Sequence, residues 1–425
     1  MPSGHASPSG AYMLVELHNH AHLSNVYGEA FAASAMQQLQ SQVNRLCCST
    51  VPIRHDRFLF CLPLETSMPT LAARGYKASP NMHAPSLIER WQHQLSSIVL
   101  QQGGKQALPV VSVQTVRLDH ALLHGASSNG RDLSGRDDTT LPRLLPVRDD
   151  AAWRVDYEND MDIAVAFYQA VMQGRAQLVF QPVVNRADRS VGLYQEALLR
   201  LSGKSGQLIA GAGLVVPALE RLGLIRLLDS LVVTAVVERL EADPEAHLGC
   251  NISALSLIPD IWWARLIDFL AVRRKVAARL TLEITETAPL GDFDMAVAFV
   301  HRLQRIGVQI ALDDFGSGHS RLAFARAVLP QVIKTDSSFI QAARDNPTAL
   351  EHLRQLTAFC HTLAPYVVAE GIEHESDKTL ATAADIRWLQ GHAVAQPAEA
   401  RPAVRLALLE TSIMAPAAAS AGEPA

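Results

Sequence analysis

Cysteine is scarce in this chain. Its five residues, Cys47, Cys48, Cys61, Cys250 and Cys360, are odd in number and scattered over 425 positions. Such usage excludes a disulfide framework, and no Cys/His spacing reads as a zinc site. Basic residues are not in excess: the formal net charge is −5, which leaves no basic stripe for gripping a nucleic-acid duplex. No apolar run approaches the ~18 residues that span a bilayer. The opening MPSGHASPSG lacks a basic region followed by an apolar core, so it does not read as a leader. These absences predict a soluble, cytoplasmic protein with reduced thiols. What is present is 48% hydrophobic and 19% charged, a globular and aliphatic mix long enough for two or three domains.

Residues 1–10 are small and polar and are expected to be disordered. Over 11–125 the pattern predicts a strand at Tyr12–Leu17, a helix over Tyr27–Leu46 and a strand at Arg57–Leu64 paired with the run before it. A helix over Ser86–Gln101 and a strand over Ala107–Val116 complete the set. The order β-α-β-β-α-β is that of a ferredoxin-like α+β sandwich. Residues 126–150 are rich in Gly, Ser, Asp and Pro without periodicity, and read as a linker. From 151 to 412 strands and helices alternate. Strands are expected at Leu178–Pro182, Leu193–Leu201, Leu248–Ser253, Leu280–Thr285, Val308–Asp313, Val332–Asp336, Tyr366–Glu370 and Arg387–Gln390. Eight strands joined by helical crossovers in about 250 residues are the arithmetic of a TIM-like (β/α)8 barrel. Residues 413–425 read as a disordered tail.

The stretch VQIALDDFGSGHSRL (308–322) organises the rest. An apolar strand stops abruptly at Asp313 and Asp314, whose side chains can reach one centre only where the backbone turns. In a barrel, side chains at the carboxyl ends of strands converge. That rule gathers Gln181, Glu196, Asn251, Glu283, Asp313, Asp314, Lys334, Asp336, Glu370 and Gln390. Carboxylates dominate, and neither His nor Cys occurs among them. Hard oxygen donors select Mg2+ or Mn2+ over zinc or copper. So many carboxylates call for two cations, the usual device for in-line displacement at phosphorus. Ca2+, with its longer bonds and higher coordination, should fill such a nest, misplace the nucleophile and inhibit.

These residues, in this order, resemble the EAL-domain family of cyclic di-GMP phosphodiesterases. The resemblance runs over roughly Met161–Ala407. It is carried by FQPVV (180–184), EALLRL (196–201), PALERLGLI (217–225), CNIS (250–253), LEITE (282–286), DDFGSG (313–318), IKTD (333–336), AEGIE (369–373) and QG (390–391). It implies metal-dependent hydrolysis of cyclic di-GMP to linear pGpG in bacterial signalling. Glu196, Asn251, Glu283 and Asp313 would hold the first metal, and Asp313, Asp314 and Glu370 the second. Lys334 would orient water or phosphate, and Asp336 would steer Lys334. Gln181, Arg200 and Gln390 would contact substrate. Glu286 would anchor a loop that couples the metals to a homodimer formed through this domain. Three places depart from the family: Leu201 replaces the usual Trp, Ser317, His319 and Arg321 alter the loop after Asp314, and QGHAVAQP loses aromatics at His392 and Val394. The lost aromatics should weaken guanine packing by about 1–3 kcal/mol, and no metal ligand is removed. The alternative reading is a receptor that binds cyclic di-GMP without cutting it and signals through partner proteins. A third reading, a protein–protein module, is opposed by the intact Glu196, Asn251 and Glu370.

The first domain resembles, more faintly, the GGDEF domain of diguanylate cyclases. Tyr27-Gly28 is its best match, and the signature hairpin reads Arg54-His55-Asp56-Arg57-Phe58, with both glycines gone. Side chains there obstruct the close approach of backbone to nucleotide that glycine permits. Arg57 stands where the family has a metal-binding carboxylate, and Cys48 where its inhibitory site, begun by Arg45, has Asp. The resemblance therefore implies a degenerate domain that is not an active cyclase, and that senses a nucleotide, pairs with partner proteins or supports the barrel.

Overall fold

The structure, a computed structural model, describes residues 12–46, 50–61, 87–116, 144, 146–148, 150–203, 208–285, 291–316 and 322–407. Glu286, Ser317, His319, Arg321, Cys47 and Cys48 lie outside the described residues, as do 1–10, 413–425 and most of 126–150. By contacts the chain divides into two compact units, the first reaching Val165 and the second running Ala166–Leu408. No helix among the described residues is long and apolar enough to cross a membrane.

The first unit contains β1 (Tyr12–Leu17), α1 (His20–Tyr27), α2 (Glu29–Leu46), β2 (Thr50–Arg54), β3 (Arg57–Cys61), α3 (Leu87–Ser96), β4 (Leu100–Gln102), β5 (Lys105–Ala107), β6 (Val111–Val116) and the start of α4 (Ala151–Met172). Its sheet has the order β2-β3-β1-β6 with every neighbouring pair antiparallel, the order of the expected ferredoxin-like α+β sandwich. Three boundaries differ from the sequence pattern. The helix expected over Tyr27–Leu46 begins at Glu29, and an unexpected short helix, α1, precedes it; Gly28 at φ 93 separates the two. The helix expected to reach Gln101 stops at Ser96, since Leu100 already pairs with Ala107 in a small hairpin. The strand expected from Ala107 begins at Val111; Pro109 between them has no N–H to give a ladder.

The second unit is an eight-stranded closed barrel. Its strands are β7 (Ala176–Asn185), β8 (Gly192–Ser202), β10 (Leu248–Ser253), β11 (Leu280–Thr285), β12 (Gln309–Phe315), β13 (Val332–Thr335), β14 (Tyr366–Ala369) and β15 (Trp388–Leu389). Between them lie β9 (Leu208–Gly211) and the helices α5 (Ala212–Leu222), α6 (Ile225–Ala242), α7 (Ile261–Ala271), α8 (Arg274–Ala277), α9 (Phe293–Arg305), α10 (Leu322–Val328), α11 (Ser337–Ala343), α12 (Pro347–Cys360) and α13 (Glu375–Ala383), with β16 (Ala398–Arg405) closing the chain. The barrel strands β8, β10, β11, β12, β13, β14 and β15 run parallel, as expected. β7 does not: it is antiparallel to both β8 and β15. A helical crossover between the first two strands is therefore corrected to a hairpin. The connection is too short for a crossover, which needs a dozen or more residues. Instead Asn185 and Asp188 side chains accept the Ala187 and Ser190 N–H groups and turn the chain.

Strand periodicity builds the barrel interior in layers. Residues i and i+2 share a face, so each polar residue near the mouth stands above a partner two positions earlier. Tyr194 lies below Glu196, Ala311 below Asp313, Val332 below Lys334 and Val368 below Glu370. These four lower residues pack with Val183 into one buried cluster. The alternate residues, such as Leu282, Ile310 and Ile333, are buried on the outer face, where the helices cover them. The polar layer is thus the top of a packed core.

Candidate active site

Lys334 sits at the centre of the barrel mouth with no exposed side-chain surface. Its Nζ is 3.0 Å from Glu196 Oε2, 2.6 Å from Glu283 Oε2, 3.1 Å from Asp313 Oδ1 and 2.8 Å from Glu370 Oε1. Four strands thus deliver carboxylates to one ammonium. The Asp313 contact is ionic but poorly aligned, for its Oδ1 makes no hydrogen bond.

Around this centre the polar residues brace one another. Asn251 Nδ2 donates to Glu196 Oε1 at 2.6 Å, and Gln390 Nε2 donates to Glu196 Oε2 at 2.6 Å. Gln181, directly opposite Glu196 across the β7–β8 hairpin, donates to the Ala395 carbonyl at 3.0 Å. Gln181 and Gln390 are both buried against the carboxylate layer. Arg200 is half-buried on the same strand as Glu196, four residues further along, and donates to the Leu199 carbonyl. Asp336 caps α11 by accepting the Ser338 N–H at 2.8 Å. The carboxylates against the Lys334 ammonium are those of Glu196, Glu283, Asp313 and Glu370.

Asp314 answers how two successive residues reach one place. Its φ is 52, in the left-handed region that a non-glycine residue adopts at a cost. The β12–β13 register shifts between Leu312 and Phe315 at the same point. The strand is bent there, and Asp313, Asp314 and Glu370 bring oxygens within 4.8 Å of one another.

Burial, first, and the Glu196 carboxylate, second, drive the Glu283 carboxyl well above its ordinary range. Burial and Asp313 do the same to Glu370. Asp313 is raised by burial against the pull of Lys334, and Asp314 is pushed up to about 7 by burial and the charges of Asp313 and Asp336. Glu196 differs: burial raises it, but Lys334 and hydrogen bonds from Gln390, Lys334 and Asn251 hold it below the usual value. Burial opposes the Lys334 charge, yet Asp313, Glu196, Glu283 and Glu370 lift its pKa well above normal. Together the directions describe a nest with more negative charge than one lysine can compensate.

The residues fit a pair of divalent cations. Two groups of three carboxylates, Glu196/Glu283/Asp313 and Asp313/Asp314/Glu370, could each hold an ion, and Asp313 belongs to both. Glu283 Oε1 and Asn251 Oδ1 are buried oxygens without a hydrogen-bond partner, which a cation would satisfy. With Lys334 charged, the five carboxylates leave a formal −4, which the +4 of two divalent cations would offset.

One residue that shapes the nest escaped the sequence reading. A Cβ on Gly249 would lie 2.6 Å from Glu283 Oε1 and 2.6 Å from the Tyr194 ring. Only glycine lets these two approach across β10. A glycine inside a strand, two residues before a polar strand end, was the available signal.

A family model of the EAL domain matches residues 164–397, more than half of the chain. The chain belongs to the EAL domain family. Among its curated relatives, "Cyclic di-GMP phosphodiesterase PdeF" of Escherichia coli (strain K12) is 26% identical, over 54% of this chain and 31% of that protein. "Probable cyclic di-GMP phosphodiesterase PdeG" of the same organism is 29% identical, over 54% of this chain and 46% of that protein. The chain spans less than half the length of these relatives. Among solved structures, "PaMucR Phosphodiesterase, c-di-GMP complex" is 26% identical with TM-score 0.50, covering 57% of this chain and 99% of that one. The "Vibrio cholerae LapD S helix-GGDEF-EAL (apo)" structure, at 14% identity and TM-score 0.50, covers 91% of this chain and 89% of its own; it is a likeness of fold.

Proposed function

We propose that this EAL domain hydrolyses one phosphodiester of cyclic di-GMP, giving linear pGpG, with two Mg2+ or Mn2+ ions bound in the nest. The observation that carries the reading is the pair of carboxylate groups sharing Asp313, with Lys334 between them. Relatives named as cyclic di-GMP phosphodiesterases support the substrate. Glu196, Asn251, Glu283 and Asp313 would hold one ion, and Asp313, Asp314 and Glu370 the other. The ions, when bound, supply Lewis-acid polarisation of a phosphoryl oxygen and raise the acidity of water. The chain supplies the rest. Gln390 and Asn251 fix the direction of Glu196. Lys334 supplies positive charge where the phosphate's negative charge must be accommodated. In the net reaction a water oxygen bonds to phosphorus, one P–O ester bond breaks, and the departing sugar oxygen takes a proton. Arg200, on the same strand as Glu196, would meet a phosphate oxygen, which a guanidinium pairs well.

The first unit is a GGDEF-like domain without cyclase activity. Arg57 pairs with Glu16 at 2.9 Å and with Asp56 at 3.4 Å, so a guanidinium occupies carboxylates that a metal would need. We further propose a cytoplasmic protein that dimerises through the EAL domain, with Glu286 in the coupling loop.

The test is incubation of purified protein with cyclic di-GMP and Mn2+, resolved by chromatography. Linear pGpG is expected. If cyclic di-GMP binds in calorimetry and is recovered intact, the receptor reading replaces this one. Substitution of Ca2+ for Mn2+ should abolish turnover, and equal rates with both ions would refute the two-metal site.

A further inference from the structure

Asn251 is held to Glu196 by its amide nitrogen, and its amide oxygen is left buried and unpaired. Its usefulness as a ligand therefore depends on how firmly the end of β10 is fixed. On the β11 side the ladder is complete, running from Leu248–Leu280 to Ser253–Thr285. On the β8 side it stops early: Leu248, Gly249 and Cys250 pair with Gln195, Glu196 and Ala197, and there the pairing ends. Asn251, Ile252 and Ser253 extend past the last rung on that side.

A carboxylate from a helix meets the free end. Asp229, on α6 and 5% exposed, accepts the Ser253 backbone N–H at 3.0 Å and the Ser256 hydroxyl at 2.5 Å, both on Oδ2. Ser253 is held a second time, its hydroxyl donating to Glu220 Oε1 at 2.6 Å and accepting the Leu255 N–H at 3.2 Å. Burying a carboxylate is costly unless hydrogen bonds compensate it. An apolar side chain on this face of α6 would avoid that cost and would leave the Ser253 N–H without an acceptor. The helix carboxylate takes the place of the missing strand.

We propose that Asp229 is a positioning residue: by clamping the carboxyl end of β10 it sets the direction in which Asn251 presents its amide oxygen to a divalent cation. The inference rests on the metal-binding reading of the nest, and it makes Asp229 an outer support of a ligand, a kind of residue whose loss typically weakens metal affinity 10–100-fold.

The experiment measures Mn2+ binding by calorimetry on the full chain, with thermal melts alongside. Asp229→Ala should bind Mn2+ about 10-fold more weakly, and Asp229→Asn, which keeps an acceptor oxygen in place, should recover most of the loss. Trp263→Phe is the structural control. It removes the indole N–H donated to the Ser256 carbonyl at 2.9 Å on the same turn, so it should lower the melting temperature without changing Mn2+ affinity. Should Asp229→Ala fail to fold, Asp229→Leu, which fills the volume and removes the acceptor, takes its place with the same expected loss. Wild-type affinity in the Asp229 variant, or an equal loss in Trp263→Phe, overturns the proposal and leaves the metal-binding reading intact. If the wild-type chain binds no Mn2+, the reading itself fails and the proposal falls with it.

Discussion

At the scale of single residues, the site is a problem of space and charge. Gly249 solves the first by letting Tyr194 and Glu283 approach across one strand. Gly249→Ala should cost about 1–3 kcal/mol of stability, the usual cost of overpacking, and turnover should fall because Glu283 is displaced. Urea denaturation and initial rates with Mn2+ check this; unchanged values for both would mean that the strand gives way freely. Lys334 solves the second by sharing its ammonium among four carboxylates. Lys334→Ala should fall roughly 10²-fold in turnover. It should also melt below wild type in EDTA, because the carboxylates lose their counter-charge, with Mn2+ narrowing the gap. Asp313→Asn removes the carboxylate common to both groups. Raising Mn2+ should partly restore its rate, while leaving the rate of Lys334→Ala unchanged. A metal titration of both variants separates these outcomes, and identical responses would sink the distinction.

At the scale of elements, α6 and β10 are tied by a carboxylate whose ionisation burial disfavours. Asp229 is pushed up to about 7, by burial first and against hydrogen bonds from Ser256 and Ser253. A raised folded pKa stabilises the fold below the unfolded value near 3.8 and loses that contribution as pH climbs towards 7. Wild type should therefore weaken relative to Asp229→Asn between pH 5 and pH 8, by roughly 3 kcal/mol. Chemical denaturation of both at the two pH values tests the sign; a constant difference would show that Asp229 is already ionised at pH 5. Clamps of this kind were not legible in the sequence. Ser253 and Asp229 carry no periodic signal, since their pairing depends on where the β8–β10 ladder ends. The barrel strands were legible to within a few residues, because each is an apolar run ending in one polar residue. The sense of β7 was not, since a buried strand reads the same in either direction. α1 was also missed: among its eight residues Leu23 is the one buried aliphatic side chain, too little to show a helical period. The gathering of Glu196, Asn251, Glu283, Asp313, Asp314, Lys334, Glu370 and Gln390 followed from strand ends alone. The hydrogen bond from Gln390 to Glu196 and the capping role of Asp336 needed coordinates.

At the scale of the whole molecule, the first unit carries the Arg57–Glu16 pair, which on the proposed GGDEF-like reading stands where a cyclase would need a cation. Incubation of the full chain with GTP and Mg2+ should yield no cyclic di-GMP above background. Product that disappears on Glu16→Ala would reverse that assignment. The barrel's reversed strand has a consequence of another kind, in the order of folding. β7 and β8 are neighbours in sequence and form an antiparallel hairpin, an event of about 1–10 μs in isolation. The other seam of β7 is with β15, which arrives from the far end of the unit. Local pairing precedes distant pairing because loop closure costs entropy, so the cylinder shuts when β15 docks. Gln390 follows β15 directly and reaches Glu196 only at that moment. In refolding from urea followed by stopped-flow, high-affinity Mn2+ uptake should therefore appear with the slowest phase and never before it, making the captured ion a clock for closure.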